Sequence, residues 1–364
     1  MSNPTITDFL IQRDNLHECS FADSPLPEPG DGEVLARIDA FGLTANNITY
    51  AVLGESLKYW EFFPPPPGHA DHGRLPVWGF AEIAASRHEG VQPGERFYGY
   101  WPISSHLVLA PGRTNDAGFV DAAPHRKGLP GLYNQYSRTA NDPSYSADFE
   151  DMHMLLYPLF GTAFLLADYL AGDALPVAER LLFSSASSRT AFATARLFKN
   201  DPKSSARLVG LTSPAKVDFV KGLGYYDEVL SYADLDSLPK SGTIYVDFAG
   251  SGRISGAVHD YFQEHLLYSL TVGKAHAEAD GPGDDLPGPK PAVFFAPAQG
   301  KKRMKEQGMR AFQAELGQAW SGFRDEARSL IQVNRDSGKD VVRRAYLDTL
   351  TGRSDPGAGL VLSL

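Results

Sequence analysis

From Leu181 to Phe198 the chain reads LLFSSASSRTAFATARLF. An apolar run ends in a short polar turn, and an alanine-rich stretch of helical character follows. A helix that begins this way presents N–H groups without intrahelical partners and the positive end of its dipole, which together suit a phosphate. In dinucleotide-binding folds the turn at this point carries glycines. One makes the turn, one lets the backbone approach the pyrophosphate, and one allows close packing of helix on strand. Here Ser185, Ser188 and Ala191 fall at that three-residue spacing. Serine at the second place crowds a phosphate by one heavy atom but offers it a donor. Ser187 and Thr190 add hydroxyls, and Arg189 adds a charge-assisted contact. The same residues equally describe a serine-capped helix with no ligand, because serine is a favoured N-cap in any case.

Other residues of chemical interest are scattered. Tyr133, Asn134, Gln135 and Tyr136 form a polar-aromatic group that either lines or lids a substrate pocket or belongs to a solvated loop. His69 and His72 lie i, i+3 in PGHADHG, and two imidazoles without a third ligand make a poor zinc site. The single cysteine, Cys19, excludes an intramolecular disulfide and a cysteine-rich zinc site. No metal is expected. The chain contains no G-x-S-x-G elbow, which argues against serine hydrolysis.

These residues need elements to hold them. A chain of 364 residues suggests two domains. Net charge is −10, and the one basic run is Lys301-Lys302-Arg303, so a nucleic-acid partner is not expected. The N-terminal stretch lacks a basic region followed by a long apolar one, so it does not read as a signal peptide. The apolar segment MLLYPLFGTAFLLADYLAG is interrupted by Pro158, Gly161 and Asp168 and reads as a buried helix, not a membrane span. A cytoplasmic protein with a small-molecule substrate and no membrane partner is the expectation. Residues 1 to about 110 are β-rich: Val34, Ala36, Ile38 and Ala40 alternate with polar or small neighbours, and short strands recur between turns. Residues 112–151 read as a long loop or small insertion with some helix. From 152 to about 285 strands and helices alternate, which implies a largely parallel sheet. AVFFAPAQ, residues 292–299, reads as a strand, and a mostly helical stretch follows despite Gly308 and Gly317.

Five segments carry a family resemblance: EPGDGEVLARIDAFGLTANNITYAVLG, GVQPGERFYGYWPISSHLVLAP, LLFSSASSRTAFATARLFK, LVGLTSPAKVDFVKGLGYYDEVLSY and TIYVDFAG. Their order resembles that of the medium-chain dehydrogenase/reductases, and most of all the zinc-free quinone-oxidoreductase branch. VQPGERFYGY resembles the GD-R-V-G turn and strand, FVKGLGYYDEVLSY the LGAD-VI-Y stretch, and YVDFAG the FD-VGG strand end. The serine loop and FFAPAQGKKRM also resemble an offshoot catalogued as a domain of unknown function. The resemblance covers most of residues 25–280. It implies an α/β protein with a GroES-like β-barrel over 1–151, including the 112–151 insertion, and a Rossmann-like doubly wound parallel sheet over 152–290. Residues 291–364 would complete the sheet and pack back on the barrel.

That resemblance directs the site assignment. NAD-preferring sites place an acid at the end of the second strand. Here that strand ends LVGLTSPAK, where Thr212, Ser213 and Lys216 would meet a 2′-phosphate instead, so NADP(H) is the expected cofactor. Ala249 and Gly250, closing the fourth strand, fall at the cofactor. The family places Asn and Tyr along the nicotinamide pocket, and Asn46, Asn47 and Tyr50 are the nearest matches; Tyr50 as donor to a carbonyl oxygen leads. Tyr50 would otherwise be a core tyrosine, and Asn47 a turn cap. His276, after YSLTVGK, sits where the nicotinamide end is expected, as a proton donor or a structural histidine. Hydride transfer to an activated alkene, quinone or carbonyl fits this set. Ligand binding without catalysis, and non-redox chemistry in the same cleft, are the alternatives. A homodimer would form by edge pairing of the parallel sheets, for which AVFFAP is a candidate edge strand or an interior one.

Overall fold

The computed structural model describes residues 4–172, 177–272, 286–355 and 357–364. They form two compact units. The first takes the chain up to Leu155 together with Gln332–Ser354 and Ala358–Leu364, and the second holds Leu156–Ile331 and Asp355–Gly357.

The first unit is built mainly from antiparallel strands. In chain order they are β1 (Thr5–Gln12), β2 (Cys19–Pro25), β3 (Val34–Leu43), β4 (His72–Arg74), β5 (Pro76–Ser86), β6 (Arg96–Pro102), β7 (His106–Leu109), β8 (Pro111–Asn115), β9 (Gly118–Asp121) and β10 (Gln135–Arg138), with helix α1 (Ala45–Val52) after β3. Val34, Ala36, Ile38 and Ala40 are buried, Arg37 is exposed and Asp39 half-buried; Leu35 and Phe41 are buried too, so the expected alternation in β3 holds only over its middle. Two sheets result: β2–β1–β4, and a larger one in which β3, β5, β6, β10, β9 and β8 run side by side. The segment 112–151 is corrected here from loop to sheet. It supplies most of β8 and all of β9 and β10, with two 3-10 turns between β9 and β10 and two more between β10 and Glu150. Strands of four or five residues are too short to show a two-residue period in sequence. The division between the units falls inside α2 (Glu150–Leu170).

The second unit alternates strand and helix: β11 (Arg180–Phe183), α3 (Arg189–Lys199), β12 (Arg207–Thr212), α4 (Val217–Leu223), β13 (Glu228–Ser231), β14 (Thr243–Asp247), α5 (Gly252–Phe262), β15 (Leu266–Thr271), β16 (Ala292–Val293), α6 (Ala296–Gln307) and α7 (Met309–Leu330). All the strands pair in parallel, in the order β13-β12-β11-β14-β15-β16. Counted within this sheet the order is 3-2-1-4-5-6, that of a dinucleotide-binding fold. Every residue of β11 and β14 is buried, as a sheet covered on both faces requires. One side is filled by Leu182, Val209, Leu211, Tyr245, Val258 and Phe262. Phe160 of α2 is fully buried against Trp320 of α7, ring centroids 5.3 Å apart, and the half-buried Tyr157 meets the same ring edge-on at 5.0 Å.

The expected strand at 292–299 is shorter than its composition suggests. Only Ala292 and Val293 pair, at the sheet edge, and α6 begins at Ala296 because Pro297 suits a first helical turn. Val293 and Phe295 are 78% and 65% exposed there. Gly308, at φ +86°, separates α6 from α7, whereas Gly317 lies inside α7.

The last elements return to the first unit. These are β17 (Gln332–Ser337), α8 (Lys339–Leu350) and β18 (Ala358–Ser363). β18 pairs antiparallel with β3, and β17 extends the large sheet beyond it.

Candidate functional site

In the second unit the strand order reverses between β11 and β14, and in such sheets ligands bind outside the carboxyl ends of the strands at that point. The two strand ends are tied there by one carboxylate. Asp247, 1% exposed, closes β14. Its Oδ1 accepts from Ser184 Oγ at 2.7 Å, Ala249 N at 2.9 Å and Gly250 N at 3.1 Å, and its Oδ2 from Ser255 Oγ at 2.9 Å. Ser184 Oγ in turn accepts from Phe248 N and Ala249 N at 3.0 and 3.2 Å. The turn carrying Ala249 and Gly250 is therefore held to the start of the serine loop by a buried network in which every acceptor is matched by a donor.

The serine loop has its own braces. Ser185 sits at φ +48°, the conformation that the first glycine of such loops supplies, at a cost of about 1–2 kcal/mol for a residue with a Cβ. Its N–H donates to Tyr232 Oη at 2.9 Å, and Ser188 N donates to its carbonyl at 2.7 Å. Ala186 N reaches Leu211 O at 3.0 Å, and Tyr226 Oη donates to Ala186 O at 3.1 Å. Ser187 Oγ accepts from Thr212 Oγ1 at 3.4 Å, which links the loop to the end of β12. Ser188 is the N-cap of α3 and accepts from Ala191 N. Arg189 and Thr190 follow as the first residues of that helix, and burial of the Arg189 guanidinium pulls its pKa down to about 10, so it stays a cation at neutral pH. Thr212 is buried, Ser213 opens a 3-10 turn, and Lys216 is half-buried at its end. No acidic residue occurs from Arg207 to Val217.

The first unit holds a different constellation. Asn46 and Tyr50 stand one turn apart on α1, and Asn46 Nδ2 donates to Tyr50 Oη at 2.7 Å. Trp78 Nε1 of β5 donates to the same oxygen at 3.1 Å. The Tyr50 ring, 5% exposed, meets those of Tyr59, Tyr100 and Tyr133 at 4.7, 5.3 and 6.1 Å. Tyr133 Oη lies 3.2 Å from Tyr59 Oη. Burial pushes the Tyr50, Tyr100 and Tyr133 phenols well above their ordinary value. Tyr133 is positioned by Arg126, which donates to its carbonyl and to Asn134 Oδ1 at 3.3 Å each and pairs with Asp121 at 2.8 Å.

The expected residues thus divide. Asn46, Tyr50 and Tyr133 come together. Asn47 does not join them: its Oδ1 accepts from Thr44 N at 2.8 Å and its Nδ2 donates to Pro76 O at 3.0 Å, so its amide caps α1 and ties it to β5. Tyr136 is corrected from substrate contact to core. Only three residues from Tyr133, it points into the sheet, stacks on Phe119 at 5.1 Å and donates to Tyr100 O at 2.8 Å. A Cβ on Gly99 would lie 2.4 Å from its ring, so the sheet is shaped around it. His276 lies outside the described residues. Tyr59, Trp78 and Tyr100 carry no motif in the sequence. Asp247 did leave a signal, as a carboxylate ending an otherwise apolar strand. Among the described residues no group of three or more His, Cys, Asp or Glu side chains could hold a metal ion.

Solved structures resemble the chain along its whole length. CurA from Vibrio vulnificus in complex with NADPH is 15% identical with a TM-score of 0.61, covering 98% of each chain. A mutant enoyl thioester reductase from Candida tropicalis is 11% identical with a TM-score of 0.56, covering 99% of this chain and 100% of that one. The yhdH oxidoreductase from Salmonella enterica in complex with NADP is 12% identical with a TM-score of 0.52, covering 98% and 99%. At these identities the likeness establishes the fold. No curated protein matches by sequence. A family model described as a protein of unknown function, DUF2855, matches residues 41–355. The 3-2-1-4-5-6 parallel sheet and the antiparallel unit that precedes it therefore have a place: the fold is the GroES-like and Rossmann-like architecture of those solved structures, and the chain belongs to the DUF2855 family.

Proposed function

We propose that this protein is an NADP(H)-dependent, zinc-independent oxidoreductase that reduces an activated alkene, quinone or carbonyl compound. The observation that carries this reading is the composition of the switch point. Loops after β11, β12 and β14 supply hydroxyls, helix-start amides and two cations, with no acid after β12 to hold a free ribose 2′-hydroxyl. Ser187, Ser188, Arg189 and Thr190 would hold the pyrophosphate; Thr212, Ser213 and Lys216 the 2′-phosphate; and Ala249 and Gly250 the strand end beside it. The bound dinucleotide would supply hydride. This chain would orient it and, through Tyr50 and its neighbours, polarise the acceptor.

Support comes also from similar structures solved in complex with NADPH or NADP. The test is consumption of NADPH by the purified protein with a panel of enones, quinones and aldehydes. The reading expects saturable turnover with at least one class. A second reading, nucleotide binding without turnover, draws on the serine loop, whose Ser185 N–H is already engaged by Tyr232. Binding with no oxidation across the panel would favour it.

A further inference from the structure

The serine loop lacks the glycine that its shape calls for. Ser185 stands at φ +48°, a conformation that strains a residue with a Cβ and leaves glycine unstrained. Two tyrosines grip the chain at this point. Tyr232, the first residue of the 3-10 turn after β13, takes the Ser185 N–H on its Oη at 2.9 Å. Tyr226, which precedes β13, donates from its Oη to the carbonyl of Ala186 at 3.1 Å. β13 lies two strands from β11, so both side chains reach past β12, and β12 is shaped to let them. A Cβ on Gly210 would lie 2.9 Å from Ala186 Cβ and 3.0 Å from Tyr226 Cδ1, so a glycine at this place leaves room for both. Burial pushes both phenols above their ordinary value, and both keep their protons. The pair Ser185-Ala186 is thus held at its first amide and its last carbonyl, and Ala186 N is tied to Leu211 O at 3.0 Å. Further along, the amides of Ser187 and Thr190 take no hydrogen bond among the described residues.

We infer that Tyr232 is a positioning residue of the nucleotide site: its hydroxyl holds Ser185 in the turn that a glycine would otherwise make, and so presents the amides of Ser187 and Thr190 to a dinucleotide pyrophosphate. Tyr226 and Gly210 complete the clamp. That the anion belongs to a dinucleotide rests on the reading above; the clamp itself does not. Serine stands at the first place of the loop because a hydrogen bond supplies what glycine supplies by its conformational freedom. Engaging the Ser185 amide takes nothing from the ligand, since in such loops the first residue makes the turn and a later one meets the pyrophosphate. Without the Tyr232 hydroxyl, Ser185 relaxes toward the backbone regions that a residue with a Cβ prefers. The binding-competent loop then becomes a minor fraction of the population, and apparent affinity falls by that fraction.

The test is a double-mutant cycle on the full-length protein, with Tyr232→Phe, Ser185→Gly and the two combined. NADPH affinity is read by nucleotide fluorescence, and stability by the urea midpoint. Tyr232→Phe should weaken NADPH about tenfold when Ser185 is present. In the Ser185→Gly background, where the turn forms unaided, the same change should weaken it less than about twofold, and its cost to the urea midpoint should shrink as well. Ser185→Ala keeps the Cβ and should not rescue Tyr232→Phe, which separates backbone strain from loss of the serine hydroxyl. NADPH affinity that Tyr232→Phe leaves in place, or a loss that Ser185→Gly does not relieve, would overturn the inference while the nucleotide reading stands. A wild type that binds no NADPH, with the midpoint cost of Tyr232→Phe still relieved by Ser185→Gly, would remove the nucleotide reading and keep the clamp. No binding, with equal midpoint costs in the two backgrounds, would remove both.

Discussion

Replacing Asp247 by asparagine tests whether the switch point is held as described. The carboxylate accepts four hydrogen bonds, three at Oδ1 and one at Oδ2, and is buried. Asparagine can keep its amide oxygen where Oδ1 was. The amide nitrogen then faces Ser255, whose hydroxyl can turn to accept, so no bond need be lost outright. What disappears is the charge on the acceptor. Hydrogen bonds to a charged group contribute about 1.5–3 kcal/mol against about 0.5–1.5 for neutral pairs, so three weakened bonds come to about 3 kcal/mol, partly offset by the easier burial of a neutral group. A net loss of about 2 kcal/mol is expected. Asp247→Ala differs in kind. It strands the Gly250 amide and the Ser184 and Ser255 hydroxyls, at about 1–3 kcal/mol each, and should cost at least about 4 kcal/mol. Urea unfolding followed by tryptophan fluorescence and circular dichroism measures both. An Asp247→Asn midpoint within error of wild type, or equal losses in the two variants, would refute the reasoning.

Two other consequences concern the first unit. Among the described residues the buried Tyr100 Oη has no hydrogen-bond partner, so Tyr100→Phe removes an unsatisfied group and should stabilise the protein by about 1 kcal/mol; a destabilised variant would show that the hydroxyl has a partner. Glu150 is pushed up by burial but pulled further down by hydrogen bonds from Arg96, at 2.8 and 3.0 Å, and from Tyr145, leaving its carboxyl below the usual value. Its contribution is therefore complete above the unfolded carboxyl pKa of about 4.3 and is lost as pH falls through the lower folded value. Melting temperatures of wild type and Glu150→Gln should differ at neutral pH and converge in acid; a constant gap would contradict this.

Much of the frame is legible in the sequence because it rests on local periodicity. The alternation in Val34–Leu43, the strand–helix order after residue 180 and the serine cap of α3 each depend on residues within one element. The site is less legible because it rests on contacts between distant residues. Tyr59 and Tyr133 are 74 positions apart, and Ser184 and Asp247 are 63 apart. Tyr133 and Tyr136 read alike in the sequence. Yet one lies within a 3-10 turn in the cluster while the other lies in a four-residue strand facing the sheet interior. AVFFAPAQ shows the opposite failure. Its composition favours a strand, but a proline placed to start a helix decides it after two residues.

The most direct test of the central claim is a paired titration of the purified protein with NADPH and NADH, read by nucleotide fluorescence, with Lys216→Ala and Arg189→Ala alongside. A charge-assisted contact to phosphate contributes about 1.5–3 kcal/mol, so Lys216→Ala should weaken NADPH by about tenfold or more and leave NADH nearly unchanged, whereas Arg189→Ala, at the pyrophosphate, should weaken both. Wild-type protein that binds neither nucleotide, or binds both equally and regardless of Lys216 and Arg189, would contradict the assignment of the serine turn as an NADP(H) site.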